Sequence, residues 1–85
     1  MEDLIKRIKE ASLSRTEVKI ADYVVDHLNT IGLQTSTSLA SEIGVSDTSI
    51  IRFLRKLGFQ GYTDFRNTMT AHIANYYDQT QQTVS

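Results

Sequence analysis

Six polar side chains within one short stretch, Ser46, Thr48, Ser49, Arg52, Arg55 and Lys56, carry the most chemical promise in this sequence. The hydroxyls can donate to phosphate oxygens or base edges, beside backbone N–H groups at a helix start that already attract anions. Arg52, one turn further on, has the reach and the planar fork to read a guanine edge or clamp a phosphate. Arg55 and Lys56, near the helix end, suit phosphates. The plainer alternative is a solvated face whose cations favour the C-terminal end of a helix dipole. Asp47, in the first turn, has the wrong sign for phosphate. It fits pairing with the dipole, or accepting from a cytosine amino group, and the first reading is preferred.

Other residues with catalytic potential do not assemble. His27 and His72 are the two histidines, each at the edge of an apolar stripe and with no cysteine nearby. A zinc site would therefore need carboxylates from separate helices, and ordinary helix positions explain both histidines better. Asp22 and Asp26 stand at i, i+4 and read as a solvated face. No serine has a visible His/Asp setting, and the four separated glycines form no phosphate loop. The expectation is no enzyme, no metal and no cofactor.

The hydrophobic spacing shows what must position the polar stretch. A first helix is expected over about residues 2–11, with Leu4, Ile5, Ile8 and Ala11 on one face. Ser14-Arg15-Thr16-Glu17 is a capping box that starts a second helix, with Leu13 and Val18 placed as a hydrophobic staple. Val18, Ala21, Val25 and Leu28 form its stripe, widened by Ile20, Val24 and Ile31, and Gly32 is its expected end. A short third helix follows Thr35-Ser36-Thr37-Ser38, any of which could cap it, and ends near Ile43.

Gly44 can then take the positive φ of a turn, and Ser46 is a good N-cap for a fourth helix with stripe Ile50, Phe53, Leu54 and Leu57. Gly58 is placed as the left-handed stop, with Phe59 folding back on Leu54. A fifth helix starts around Tyr62 to Asp64 and runs to about Tyr77, with Phe65, Met69, Ile73 and Tyr76 as its face. The polar tail from Gln79 to Ser85 has no periodicity. The fold class is all-α, a compact five-helix bundle. Leu39, Ala40, Ile43, Gly44, Val45, Ile50 and Phe53 have the spacing of a helix-turn-helix of homeodomain-like type, whose second helix, about 46–57, enters the DNA major groove.

Composition sets the frame. The chain has 85 residues, net charge -1, and no Cys, Pro or Trp. That length holds one domain, without disulfides or thiolate metal sites. No apolar run approaches the roughly 20 residues that span a bilayer, and Met1-Glu2-Asp3 does not open like a signal peptide, so a cytoplasmic protein without membrane contact is expected. The charge is unevenly placed. Residues 1–45 carry five basic and seven acidic groups, whereas residues 46–66 carry Arg52, Arg55, Lys56 and Arg66 against Asp47 and Asp64. A local positive patch acts on phosphates even when the total is near zero.

The run Leu39-Ala40, Gly44-Val45-Ser46, Ser49-Ile50-Ile51-Arg52-Phe53, Lys56-Leu57-Gly58-Phe59, Gly61-Tyr62 and Phe65 resembles the N-terminal domain of RpiR-type bacterial transcriptional regulators. Leu13-Ser14 through Ala21 is similar to the family's opening helices, so the likeness spans residues 1–77. It implies a dimer or higher oligomer on double-stranded operator DNA, control of sugar or amino-sugar phosphate metabolism, and DNA contact by Ser46, Thr48, Ser49 and Arg52. It also implies that residues 78–85 begin a linker to an absent C-terminal sugar-isomerase-like domain, which would hold a phosphosugar effector. Leu4, Ile5 and Ile8, with Ile73, Tyr76 and Tyr77, are apolar groups that could pack as core or form a two-fold interface, and the homodimer is preferred. The rival reading is a helix-turn-helix interaction or dimerisation module that does not itself touch DNA.

Overall fold

In a computed structural model, which describes residues 2–71, three of the helices begin where a side chain satisfies an early N–H group. Helix α1 spans Glu2–Glu10 and α2 spans Arg15–Asp26. The capping box forms as expected: Ser14 Oγ accepts from Glu17 N, and Glu17 Oε1 accepts from Ser14 N at 2.9 Å. Helix α3, Ser36–Ile43, is capped by Thr35, whose hydroxyl accepts from Ser38 N at 3.1 Å. Helix α4, Asp47–Lys56, is capped by Ser46. A fifth helix, α5, covers residues 62–71, and its approach is fixed by Asp64, which accepts from Gln60 N at 2.9 Å. The described residues contain no strand.

The second helix departs from expectation in two ways. It ends at Asp26, with Ile31–Leu33 forming a separate 3-10 turn. His27 ends it: its Nδ1 lies 2.8 Å from the Tyr23 carbonyl oxygen, which can only accept, so that nitrogen carries the proton. Gly32 instead lies in the 3-10 turn, where a Cβ would come 3.1 Å from Thr70 Oγ1 and 3.5 Å from the Met69 Cβ. It is a close-approach glycine that lets α5 pack against the connection.

The buried stripe of α2 is also rotated. Ile20, Ala21 and Val24 are buried, whereas Val18 and Val25 stay 44% and 40% exposed. Ile20, Tyr23, Val24, His27 and Leu28 complete the full i, i+3, i+4, i+7, i+8 pattern, while the Val18–Val25 side also carries Asp22 and Asn29. The denser stripe wins. Val18 is thus not a buried staple partner, and Leu13 packs on the main core instead.

That core joins Leu4, Ile20, Val24, Ile31, Leu39, Ile50, Phe53, Leu54, Phe65 and Met69 from every helix. Leu4 and Ile8, considered above for a two-fold interface, pack against this core; Ile73, Tyr76 and Tyr77 lie outside the described residues. So do His72, the remainder of the expected fifth helix and the tail. Phe59 and Phe65 meet edge-to-face with ring centroids 5.4 Å apart. Tyr62 donates to the Gln34 carbonyl at 2.6 Å, and Arg66 donates to that of Gly32 at 2.9 Å, so α5 is tied to the 3-10 connection.

Both turns around α4 use glycine where the backbone requires it. Gly44, at φ 85°, closes α3, and its N–H and that of Val45 both donate to the Ala40 carbonyl. Gly58, at φ 101°, follows α4. Phe59 N donates to Leu54 O and Gly58 N to Arg55 O, each at 3.0 Å, which is the complete Schellman pairing. Gly58→Val forces a β-branched residue into the left-handed region and should cost at least about 1–2 kcal/mol. Gly61→Ala, at a site with open space and no positive φ, should be close to neutral. Equal melting temperatures for Gly58→Val and the parent chain would contradict the left-handed stop.

One ion pair joins α2 to α4: Lys56 Nζ lies 2.7 Å from Glu17 Oε1 and donates to Ser12 O at 2.8 Å. The Lys56 hydrogen bond, followed by the Ser14 N–H, holds the Glu17 carboxyl below its ordinary 4.5. A depressed folded value stabilises above the unfolded value and loses that stabilisation as pH falls through the folded one. Glu17→Gln should therefore flatten the acid limb of a urea-unfolding series run from about pH 6 to about pH 3. An unchanged slope would show that this pair is not linked to folding.

Candidate nucleic-acid interface

Helix α4 has two chemically distinct sides because Ile50, Phe53, Leu54 and Leu57 are all drawn into the core. What remains outside is the polar set picked out by sequence. Ser46, Thr48, Arg52, Arg55 and Lys56 are exposed and Ser49 is half-buried. The structure therefore brings all six onto one element, with the hydroxyls at its N-terminal end and the cations further along.

Local bonds order the N-terminal end. Ser46 Oγ accepts from Ser49 N at 3.2 Å and lies 3.0 Å from Ser49 Oγ. Capping by Ser46 satisfies one early N–H; those of Asp47 and Thr48 face outward from the helix start, where they attract acceptors or anions. Asp47 does not crowd this end freely, because its Oδ2 accepts from Thr37 Oγ1 at 3.2 Å. That bond ties the first turn of α3 to the first turn of α4, and it accords with a structural, dipole-facing role for Asp47.

The cations differ in their commitments. Among the described residues, no hydrogen bond or ion pair engages the Arg52 guanidinium, and it lines a shallow cleft with Ser49 and with Ser14, Thr16 and Glu17 of α2. Arg55 Nε donates weakly to Gln60 O at 3.4 Å. Lys56 is the most engaged, with two of its three protons directed at Ser12 O and Glu17. Its partner carboxylate neutralises much of the Lys56 charge, which leaves Arg52 and Arg55 as the less committed cations of α4.

Ser14 and Thr16 are the residues that sequence reasoning did not bring to this site. They lie more than thirty residues before Arg52, and only packing of α2 on α4 makes them neighbours. The capping box marks the start of α2, yet nothing in it points to α4. The assembled surface offers N–H, hydroxyl and guanidinium donors, a chemistry suited to phosphate oxygens and base edges. Among the described residues, no group of three or more His, Asp or Glu side chains could hold a metal ion, and no helix is long and apolar enough to cross a membrane.

Comparison with known proteins shows which family the whole domain belongs to. An uncharacterised HTH-type transcriptional regulator of Clostridium perfringens is 34% identical over 62 residues, covering 73% of this chain and 22% of the relative. The chain thus spans about a fifth of that regulator's length. Among solved structures, the Vibrio vulnificus NanR protein complexed with ManNAc-6P superposes with a TM-score of 0.77 at 26% identity, over 93% of this chain and 32% of that one. The family model described as helix-turn-helix domain, rpiR family, matches residues 1–76, nearly the whole sequence. With its helices, glycine turns and polar α4 face in place, the chain belongs to the rpiR family of helix-turn-helix domains.

Proposed function

We propose that this domain binds operator DNA sequence-specifically, with α4 entering the major groove N-terminus first. The observation that carries the reading is the division of α4, whose apolar side is consumed by the core while Ser46, Thr48, Ser49 and Arg52 remain outside. In this reading Arg52 contacts a base edge, and the hydroxyls of Ser46, Thr48 and Ser49 contact phosphates or bases. Arg55 contacts the backbone, and Lys56 adds its remaining proton and its charge at the rim. In this reading the DNA lies across the C-terminal half of the helix-turn-helix, and the role is binding.

The family and the neighbour solved with ManNAc-6P support a wider role. We place the domain in a cytoplasmic bacterial regulator of sugar or amino-sugar phosphate metabolism, acting as a homodimer on inverted half-sites. A phosphosugar effector would bind a sugar-isomerase-like domain elsewhere in the protein.

Arg52→Ala should weaken binding to a selected duplex by about 1–3 kcal/mol, relax the preference at one base pair, and leave the melting temperature unchanged. Arg55→Ala should weaken binding evenly across sequences and reduce the salt slope by about 1. Unchanged affinity and preference in Arg52→Ala would contradict base reading by this face and favour a module that docks protein.

A further inference from the structure

The C-terminal end of α4 is gripped from α1. Arg7 Nη1 donates to the Leu57 carbonyl at 3.1 Å, fifty residues away in sequence. The same guanidinium pairs through Nε with Asp3 Oδ2 at 3.1 Å, and its carbon lies 5.7 Å from the centre of the Phe59 ring. The Leu57 carbonyl is one of the acceptors that helix geometry leaves without an intrahelical partner. The Schellman pairing uses the carbonyls of Leu54 and Arg55, and Arg7 takes that of Leu57, two residues further on. A cation there also opposes the negative end of the helix dipole. A Cβ at Gly58 would lie 3.5 Å from Arg7 Nη1, an ordinary contact, so glycine is required there by its positive φ and not to make room for Arg7.

The apolar stripe of α4 decides which face is buried, whereas a guanidinium–carbonyl bond is directional and decides where the helix end points. Helix α4 has 10 residues and is therefore about 15 Å long. A tilt of about 10° at its C-terminal end moves its N-terminal end by about 2.6 Å, comparable to a whole hydrogen-bond length. Contacts to base edges do not survive such a shift. Phosphate contacts by long, flexible side chains adapt to it.

We propose that Arg7, on a helix outside the helix-turn-helix, is a positioning residue for sequence discrimination: it aims α4 by holding the Leu57 carbonyl and the Phe59 ring. This rests on the DNA-reading function proposed above. Only Arg fits the role fully, because one planar group serves the carbonyl, the Asp3 carboxylate and the aromatic face at once. Lys6 and Lys9, on the same helix, are exposed and make no bond to α4 among the described residues.

The test measures the affinity of the 85-residue chain for a selected duplex and for a scrambled duplex of equal length, over a range of salt. Arg7→Ala should lower the ratio of the two affinities about tenfold, the scale of one lost base contact, with scrambled-duplex affinity and salt slope kept. Arg7→Lys, which retains the charge but not the fork, should fall between Arg7→Ala and the parent. Lys9→Ala should keep the parental ratio. Simple loss of folded protein would weaken both duplexes equally and preserve the ratio, which would overturn the proposal. Equal weakening with a shallower salt slope would make Arg7 a phosphate contact and also overturn it, as would an unchanged ratio. No discrimination by the parent chain itself would instead overturn the DNA-reading function, and the positioning role with it.

Discussion

Burial of one side of α4 is the constraint from which the remaining organisation follows. Ile50 and Phe53 are fully inaccessible, Leu54 and Leu57 nearly so, and they meet α2, α3 and α5 in a single core. Fully burying each such side chain stabilises by about 1.5–3 kcal/mol, so a large share of the apolar driving force of this small domain passes through this helix. The same ten residues must then present their polar side outward. One amphipathic element thus carries both the buried face and the polar face proposed for DNA contact, and the polar face cannot rotate away without dismantling the core.

The two ends of that helix are treated differently. At the C-terminal end, carbonyls are taken up by the Schellman turn at Gly58 and by Arg7, while Lys56 is anchored to Ser12 and Glu17. At the N-terminal end, the Ser46 cap and the Thr37–Asp47 bond fix the helix start and leave outward N–H groups beside Thr48, Ser49 and Arg52. Such a closed end and an open end suit a helix that meets its ligand end-on. The remaining elements are the frame: α2 supplies the surface on which α4 lies, and α5 is locked to the 3-10 connection through Tyr62 and Arg66.

Local chemistry was legible in the sequence wherever one residue type satisfies one local need. The capping box at Ser14 and Glu17, the left-handed glycines 44 and 58, and the stripe from Ile50 to Leu57 all formed as their spacing required. Two features depended on tertiary competition and were misread. Two overlapping stripes on α2 share Leu28, and only packing selected Ile20 and Val24 over Val18 and Val25. Gly32 resembled a helix stop, but its small size serves an approach by Thr70 and Met69 that lies almost forty residues away. The exposed polar side of α4 was legible along the helix itself. The neighbours that α2 contributes, Ser14, Thr16 and the Glu17 partner of Lys56, were not, since no local pattern encodes a contact between separate helices.

The central claim is that the exposed side of α4 recognises DNA by sequence. The most direct measurement is selection of bound duplexes from a random pool at low salt, followed by sequencing of what is retained. Sequence reading by α4 should yield one enriched motif, arranged as inverted half-sites about one helical turn apart, as two-fold readers of this architecture require. Retention of duplexes with no sequence enriched over the input would contradict it, because binding would then rest on phosphate charge alone.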